Sequence, residues 1–200
     1  MITLYAIKPR FQALLRPLTG QLAAAGIVAN QVTAAAAAGS IAIGLAIGLG
    51  AAHPAVFLLM PVWLFLRMAL NAIDGMLARE FGQKSHLGAY LNELGDVVSD
   101  AALYAPFALV APFGVLGTFV VVVLAILTEF VGILGPSRRY DGPMGKSDRA
   151  LVLGTLAFWI GIGGPLPSWF ALAMPLLAVL LIVTIWNRMR AGLREKEAAA

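Results

Sequence analysis

Asn71-Ala-Ile-Asp74-Gly75-Met-Leu-Ala78-Arg79, then eight residues, then Gly88-Ala-Tyr-Leu-Asn92-Glu-Leu-Gly-Asp96 carry most of the polar chemistry of an otherwise apolar chain. The first segment closes one apolar run, Ala55–Ala78, and the second opens another, Gly88–Val110. Arg67, Asn71 and Asp74 recur at i, i+4 and i+7 and so share one helical face. Gly88, Asn92, Asp96 and Asp100 recur at intervals of four, with Glu93 at the edge of their face. Ionisable groups at membrane depth are costly and turn toward a bundle interior or a wet cavity, which makes each a functional candidate. Helices running in opposite directions would bring Asn71 and Asp74 to the depth of Asn92 and Asp96, so four oxygen-bearing side chains are expected to converge.

Outside this stretch the chain is 200 residues, 60% hydrophobic and 12% charged. Soluble domains carry charge on about a quarter of their residues, so the expected class is an all-α integral membrane protein. Apolar runs of about 20 residues predict six transmembrane helices at Gln31–Gly50, Ala55–Ala78, Gly88–Val110, Gly114–Leu134, Lys146–Gly161 and Ser168–Trp186. They leave room for a single domain over 1–200, with the bundle in 31–186 and a cytoplasmic tail over 187–200. Ahead of the bundle, within 1–20, Ile7, Phe11, Leu14, Leu15 and Leu18 lie on one helical face and Lys8, Gln12 and Arg16 on another. That pattern predicts an amphipathic helix resting in the interface. A signal peptide competes with it, but the apolar stretch after Ala29 is too long for one and leads straight into further spans. Asn30-Gln-Val-Thr33 makes a polar start to the first span, and the alanines of Ala34–Ala38 suit close helix packing.

The placement of charge predicts orientation. Ala51–Pro54, Ala111–Phe113 and Ile162–Pro167 contain no Lys, Arg, Asp or Glu, whereas the other connections hold Arg79, Glu80, Lys84, Arg138, Arg139 and Lys146. Lys8, Arg10, Arg16, Arg188, Arg190, Arg194 and Lys196 sit at the ends. The positive-inside rule puts both termini and the basic connections in the cytoplasm, in a cell inner (cytoplasmic) membrane. The net charge of +4 is then a topological signal and an attraction to anionic headgroups, and no nucleic-acid partner is expected. With no cysteine, disulfide, zinc-thiolate and thiol-nucleophile chemistry are excluded.

Oxygen ligands without Cys or a nearby His favour a hard cation, Mg²⁺ or Mn²⁺. Gly75 and Gly88 expose backbone beside the acids, and Arg79 stands one turn on, an arrangement suited to a nucleotide diphosphate. A purely structural account remains open: Asn71 and Asn92 as interhelical hydrogen-bonding links, with Asp96 paired to Arg79. Arg67 and Asp100, deeper in the spans, are expected to form a buried ion pair, with Glu129 as a second possible partner for Arg67.

Residues 71–96 resemble the signature of the CDP-alcohol phosphotransferase family, D-x2-D-G-x2-A-R-x8-G-x3-D-x3-D, in register throughout, with Asn in place of Asp at positions 71 and 92. The interfacial helix, the six spans and Gly145-Lys146-Ser-Asp-Arg149 at the start of the fifth are similar to the family as well. Bacterial members of uncertain acceptor that carry the same asparagines look the most similar. The resemblance implies transfer of a phosphatidyl or phosphoalcohol group from a CDP-linked donor, CDP-diacylglycerol above all, to an alcohol hydroxyl with release of CMP. It implies divalent metal at Asn71, Asp74, Asn92 and Asp96, and Asp96 as the base. It places CDP against Asp74, Gly75, Ala78, Arg79 and Gly88, and an acceptor or lipid phosphate against Lys146, Arg149, Arg138 or Arg139. It also implies a homodimer, and the basic residues favour an anionic acceptor. Two asparagines leave the site with two carboxylates where the family pattern has four, so one tightly held metal is expected, and a second only with CDP diphosphate.

Two other functions fit the same residues. A member that has lost catalysis would act as a lipid- or nucleotide-binding membrane protein, and a transporter would use Asp74, Asp96 and Asp100 as an ion path. Transport would call for polar groups continuing to the outer side, where the spans are nearly blank.

Overall fold

The computed structural model describes residues 4–198. Met1–Thr3 of the expected interfacial segment and Ala199–Ala200 of the expected tail lie outside the described residues, as do the side chains of Ile7 and Lys8. Seven α-helices carry the fold: α1 (Leu4–Ala24), α2 (Ala29–Leu49), α3 (Leu59–Glu80), α4 (His86–Tyr104), α5 (Gly114–Ile133), α6 (Lys146–Gly161) and α7 (Ala173–Ala198). Single 3₁₀ segments at Pro54–Leu58, Ala105–Leu109 and Ser168–Leu172 flank α3, α4 and α7.

Four stretches, Ala29–Leu49, Pro54–Glu80, Gly114–Ile133 and Ser168–Glu197, are long and apolar enough to cross a membrane. The other two expected spans fall short for a physical reason. α4 carries Glu93, Asp96 and Asp100, and α6 has only 16 residues and opens with Lys146, Asp148 and Arg149. These are the helices that turn charge into the bundle: Asp96, Asp100 and Arg149 are all buried. Large apolar side chains such as Leu45, Leu49, Phe65, Leu116 and Leu176 point outward instead, as lipid-facing residues do.

Helix association in lipid depends on close approach and interhelical hydrogen bonds, because the lipid is as apolar as leucine. α2 supplies the close approach. It packs along both α3 and α4, with Gly44 against the Ala102 carbonyl, and with Ala37 and Thr33 beside Gly95. Trp63 of α3 donates to Ser40 of α2 at 2.9 Å. The expectation that α3 and α4 meet directly is therefore modified: α2 lies behind both, and side chains bridge the space between them. At one end of the bundle the uncharged connections gather, with Ala51, Leu109, Ala111 and Gly163 lining one shallow recess. The basic connections share the other end, where Arg138 reaches Glu93 and Arg139 reaches Glu195.

α1 lies against α3. Phe11 meets Phe65 edge-on at 6.1 Å, Leu15 packs toward Ile73 and Leu77, and Arg16 makes two 3.0 Å bonds to Glu80. The apolar stripe read from the sequence is thus divided, because Leu14 and Leu18 remain exposed. The residues read as the tail are helical and partly packed. α7 continues well past Trp186, and Arg188, four residues beyond buried Thr184, is itself 2% exposed. Its guanidinium donates to the Thr128 carbonyl at 2.5 Å and the Asp141 carbonyl at 3.4 Å, bonds that hold the last turns to the bundle.

Candidate active site

The end of α3 and the start of α4 both pack on α2. Asp74 is 6% exposed, and its Oδ2 accepts a 2.9 Å hydrogen bond from the Thr33 hydroxyl of α2. Asp96 is 7% exposed and takes charge from two directions: Arg67 Nη2 at 3.2 Å and the ammonium of Lys146. Arg67 of α3 and Lys146 of α6 thus meet on Asp96 of α4, which ties the three helices together. Asn71 and Asn92 are half-buried on the same two faces, and Asn92 Nδ2 donates to Glu93 at 3.4 Å.

The glycines behave differently from one another. A β-carbon at Gly75 would lie 3.0 Å from Arg79 Nη2, so the Arg79 guanidinium lies over the bare backbone that follows Asp74. A β-carbon at Gly88 would lie 2.7 Å from Asn30 Oδ1 and 3.0 Å from Ser85 Oγ. A side chain there would have to displace Asn30 and the N-cap, in which Ser85 Oγ accepts from Gly88 N at 2.9 Å. Ala78 is half-buried against the α1–α2–α3 cluster of Ala29, Val32, Ile73 and Leu77.

Beneath these residues runs a continuous buried charge network. Arg67 bonds Asp100 at 2.6 Å, as the sequence suggests. Asp100 also receives Arg149 Nη2 at 2.8 Å, and the same nitrogen reaches Glu129 Oε1 at 2.9 Å. Glu129 is therefore not a partner of Arg67: Arg149, Arg188 at 3.5 Å and Arg138 at 3.6 Å surround it. Nor does Asp96 pair with Arg79, since Lys146 and Arg67 occupy it.

The basic residues separate accordingly. Lys146 and Arg138 keep 31% and 28% of their side chains exposed. Arg139 turns to Asp141 and Glu195, at 3.0 and 3.1 Å. Arg149 directs its Nε to Asp100, its Nη1 to Thr128 Oγ1 and the Met144 carbonyl, and its Nη2 to Asp100 and Glu129. A guanidinium has five N–H donors, and here every one meets a protein acceptor. Thr33 and Arg188 are the contributors that reading the sequence passes over; the hydroxyl one turn into the first span and an arginine in register with Thr184 were the available signals.

Among the described residues, no group of three or more His, Cys, Asp or Glu side chains has metal-holding geometry, since two of the four signature positions are asparagine. The donor set is nonetheless all oxygen, two carboxylates and two amides, and it fits a hard divalent cation that completes its shell with phosphate and water.

No family model matches the chain. It is 46% identical over 196 residues to the inner membrane protein YnbA of Escherichia coli, covering 96% of this chain and 97% of that one. It is 30% identical over 193 residues to the phosphatidylinositol phosphate synthase of Mycobacteroides abscessus, covering 90% and 84%. The chain belongs to the CDP-alcohol phosphotransferase family. Its fold agrees: the chain superposes on the Mycobacterium tuberculosis phosphatidylinositol phosphate synthase crystallised with manganese and citrate at a TM-score of 0.71 and 22% identity, over 87% of this chain and 86% of the other. With the CDP-DAG-bound form of that enzyme the TM-score is 0.69, over 87% and 90%.

Proposed function

We propose that this protein transfers a phosphatidyl group from CDP-diacylglycerol to an alcohol hydroxyl and releases CMP, at the cytoplasmic face of the inner membrane. The observation that carries the reading is two buried carboxylates at the signature positions, Asp74 on α3 and Asp96 on α4, the first held by Thr33 and the second by Arg67 and Lys146. The membrane residence of the Escherichia coli relative and the CDP-DAG bound by the mycobacterial enzyme support it. In this reading the chain is one domain with α2 to α7 as six spans, α4 and α6 completing their crossing inside the bundle. The two ends are cytoplasmic, α1 rests in the interface, and the protein works as a homodimer.

Asn71, Asp74, Asn92 and Asp96 would hold a divalent cation, which when bound neutralises the donor diphosphate and the charge developing on CMP. Thr33 fixes the Asp74 carboxylate by its 2.9 Å bond, so its lone pairs are aimed before substrate arrives. Arg79, lying over Gly75, meets the diphosphate where the backbone is bare, with Ala78 and Gly88 shaping the cytidine side. Arg67 and Lys146 orient Asp96, which takes the proton of the attacking hydroxyl; general-base transfer needs a reach of about 2.6–3.2 Å or one intervening water. The acyl chains of the donor stay in the bilayer beside the outward-facing apolar residues.

The test is CMP release from CDP-diacylglycerol by purified protein across a range of alcohols, with products identified by mass spectrometry. Asp96→Asn is expected to abolish release while leaving thermal unfolding in detergent near that of the parent. Normal turnover by this variant would remove Asp96 from the base role. Bound CDP-lipid with no product from the parent protein would favour the alternative that the two asparagines support, a family member retained for binding.

A further inference from the structure

One part of the buried charge network is not used by the transfer step. Glu129 of α5 is 6% exposed, and three guanidinium groups from three separate segments converge on its carboxylate. Arg149 of α6 stands at 2.9 Å, Arg188 of α7 at 3.5 Å and Arg138 of the α5–α6 connection at 3.6 Å. Planar, forked cations gathered around one point form a receptor for phosphate or carboxylate. Here the chain itself fills the receptor. Arg149 has no donor left over, Arg188 is engaged by the Thr128 and Asp141 carbonyls, and Arg138 is also tied to Glu93.

The cluster is contiguous with the reaction site. Arg138 is bonded to Glu93, the neighbour of Asn92, and Arg149 shares Asp100 with Arg67, which in turn holds Asp96. An alcohol placed with its hydroxyl on Asp96 would therefore share Asp96 with Lys146 and neighbour the Glu93–Arg138–Glu129 chain of ion pairs. A phosphate on that alcohol would meet guanidinium groups already bonded and two carboxylates, Glu93 and Glu129, of its own sign.

We infer that Glu129 is a specificity-determining residue: its carboxylate occupies the anion position on the acceptor side of the site, so the accepting alcohol carries no phosphate or other anionic group. The assignment of an acceptor rests on the transferase reading above; the occupied anion position rests on geometry alone. This proposed acceptor runs against the anionic one that the basic residues favour in the sequence, because Lys146 is bonded to Asp96 and Arg149 to Asp100 and Glu129.

Two readouts on the full chain in detergent test this. The first needs no turnover: thermal unfolding is followed while inorganic phosphate is titrated at constant ionic strength. The parent protein and Glu129→Asp, which keeps the charge, are expected to show no saturable shift, whereas Glu129→Gln and Glu129→Ala are expected to gain a saturable rise in unfolding temperature. A saturable rise in the parent, or destabilised Gln and Ala variants that phosphate does not raise, overturns the proposal, the latter by reducing Glu129 to a structural partner. The second is CMP release from CDP-diacylglycerol with matched pairs, glycerol against glycerol phosphate and inositol against inositol phosphate. The parent is expected to favour the unphosphorylated member at least tenfold in kcat/KM, and Glu129→Gln to narrow or reverse that ratio. Preference of the parent for the phosphomonoester overturns the acceptor assignment even if Glu129→Gln does not fold. Absence of CMP release from every pair, alongside the expected phosphate titration, overturns the transferase reading and the acceptor assignment with it, and leaves the occupied anion position standing.

Discussion

Arg67 of α3 and Asp100 of α4 meet in a 2.6 Å ion pair with each side chain 4% exposed, and together with the bonds from Arg67 to Asp96 it bridges two helices that otherwise lean on α2. Removing one member leaves the other charge buried with one partner fewer, Asp100 keeping Arg149 and Arg67 keeping Asp96, so the cost is expected to approach but not exceed that of a fully broken buried pair, about 3–5 kcal/mol. Asp100→Asn and Arg67→Met are each expected to lower the unfolding temperature in detergent sharply. Arg67→Met with Asp100→Leu should be less destabilised than the sum of the two single variants; strict additivity would show that the pair is not coupled.

Thr33 tests whether α2 serves the site as well as the packing. Thr33→Val keeps the shape of the side chain and removes the hydroxyl that Asp74 accepts from. Hydrogen bonds to charged groups contribute about 1.5–3 kcal/mol, so kcat/KM for CDP-diacylglycerol is expected to fall by about one to two orders of magnitude. Thr33→Ser should retain most of the activity, and a Val variant as active as the Ser variant would separate Thr33 from Asp74.

Two glycine-to-alanine changes are expected to fail in opposite ways. At Gly44 the new methyl would overlap the Ala102 carbonyl, which is backbone and cannot step aside. Overpacking of this kind costs about 1–3 kcal/mol or more, read as a lowered unfolding temperature. At Gly75 the methyl meets only the far end of Arg79, 3.0 Å away. Stability should hardly change there, while the dissociation constant for CDP, measured by calorimetry, should rise.

Metal stoichiometry follows from the two asparagines. An amide oxygen is neutral and binds Mg²⁺ more weakly than a carboxylate. Crystals grown with Mg²⁺ are expected to show one well-occupied ion without nucleotide and a second only with CDP, and Asn71→Asp with Asn92→Asp should acquire the second ion unaided. Two full ions in the nucleotide-free parent would contradict this. Chelation with EDTA is expected to stop CMP release, and Mg²⁺ or Mn²⁺ to restore it.

Much of the helical layout was legible because apolar runs, charge-free connections and the intervals of four along residues 67–100 are local properties of the chain. The start and end of α6 lie where the sequence puts them, at Lys146 and Gly161, because a glycine-bounded apolar run has few alternatives. What was not legible depends on tertiary register. Glu129 could pair with Arg67 by helical depth alone, yet α5 carries it toward α6 and α7, where Arg149, Arg188 and Arg138 reach it first. Gly88 read as open backbone, but only the fold shows that Asn30 of another helix already fills that space. Arg188 read as a topology marker because sequence does not reveal that the connection carrying Asp141 folds back to cover it.

The continuation of α7 past Trp186 has a further consequence. Where the apolar residues stop, the cooperative unit does not: the last turns clasp the α5–α6 connection through Arg188 to Asp141 and Glu195 to Arg139. That connection carries Arg138, which is bonded to Glu93 beside the candidate site. The C-terminal turns therefore act as a buttress, and a fusion or proteolytic cut placed just after Trp186, harmless by hydropathy, would be transmitted to the candidate site from a region outside it.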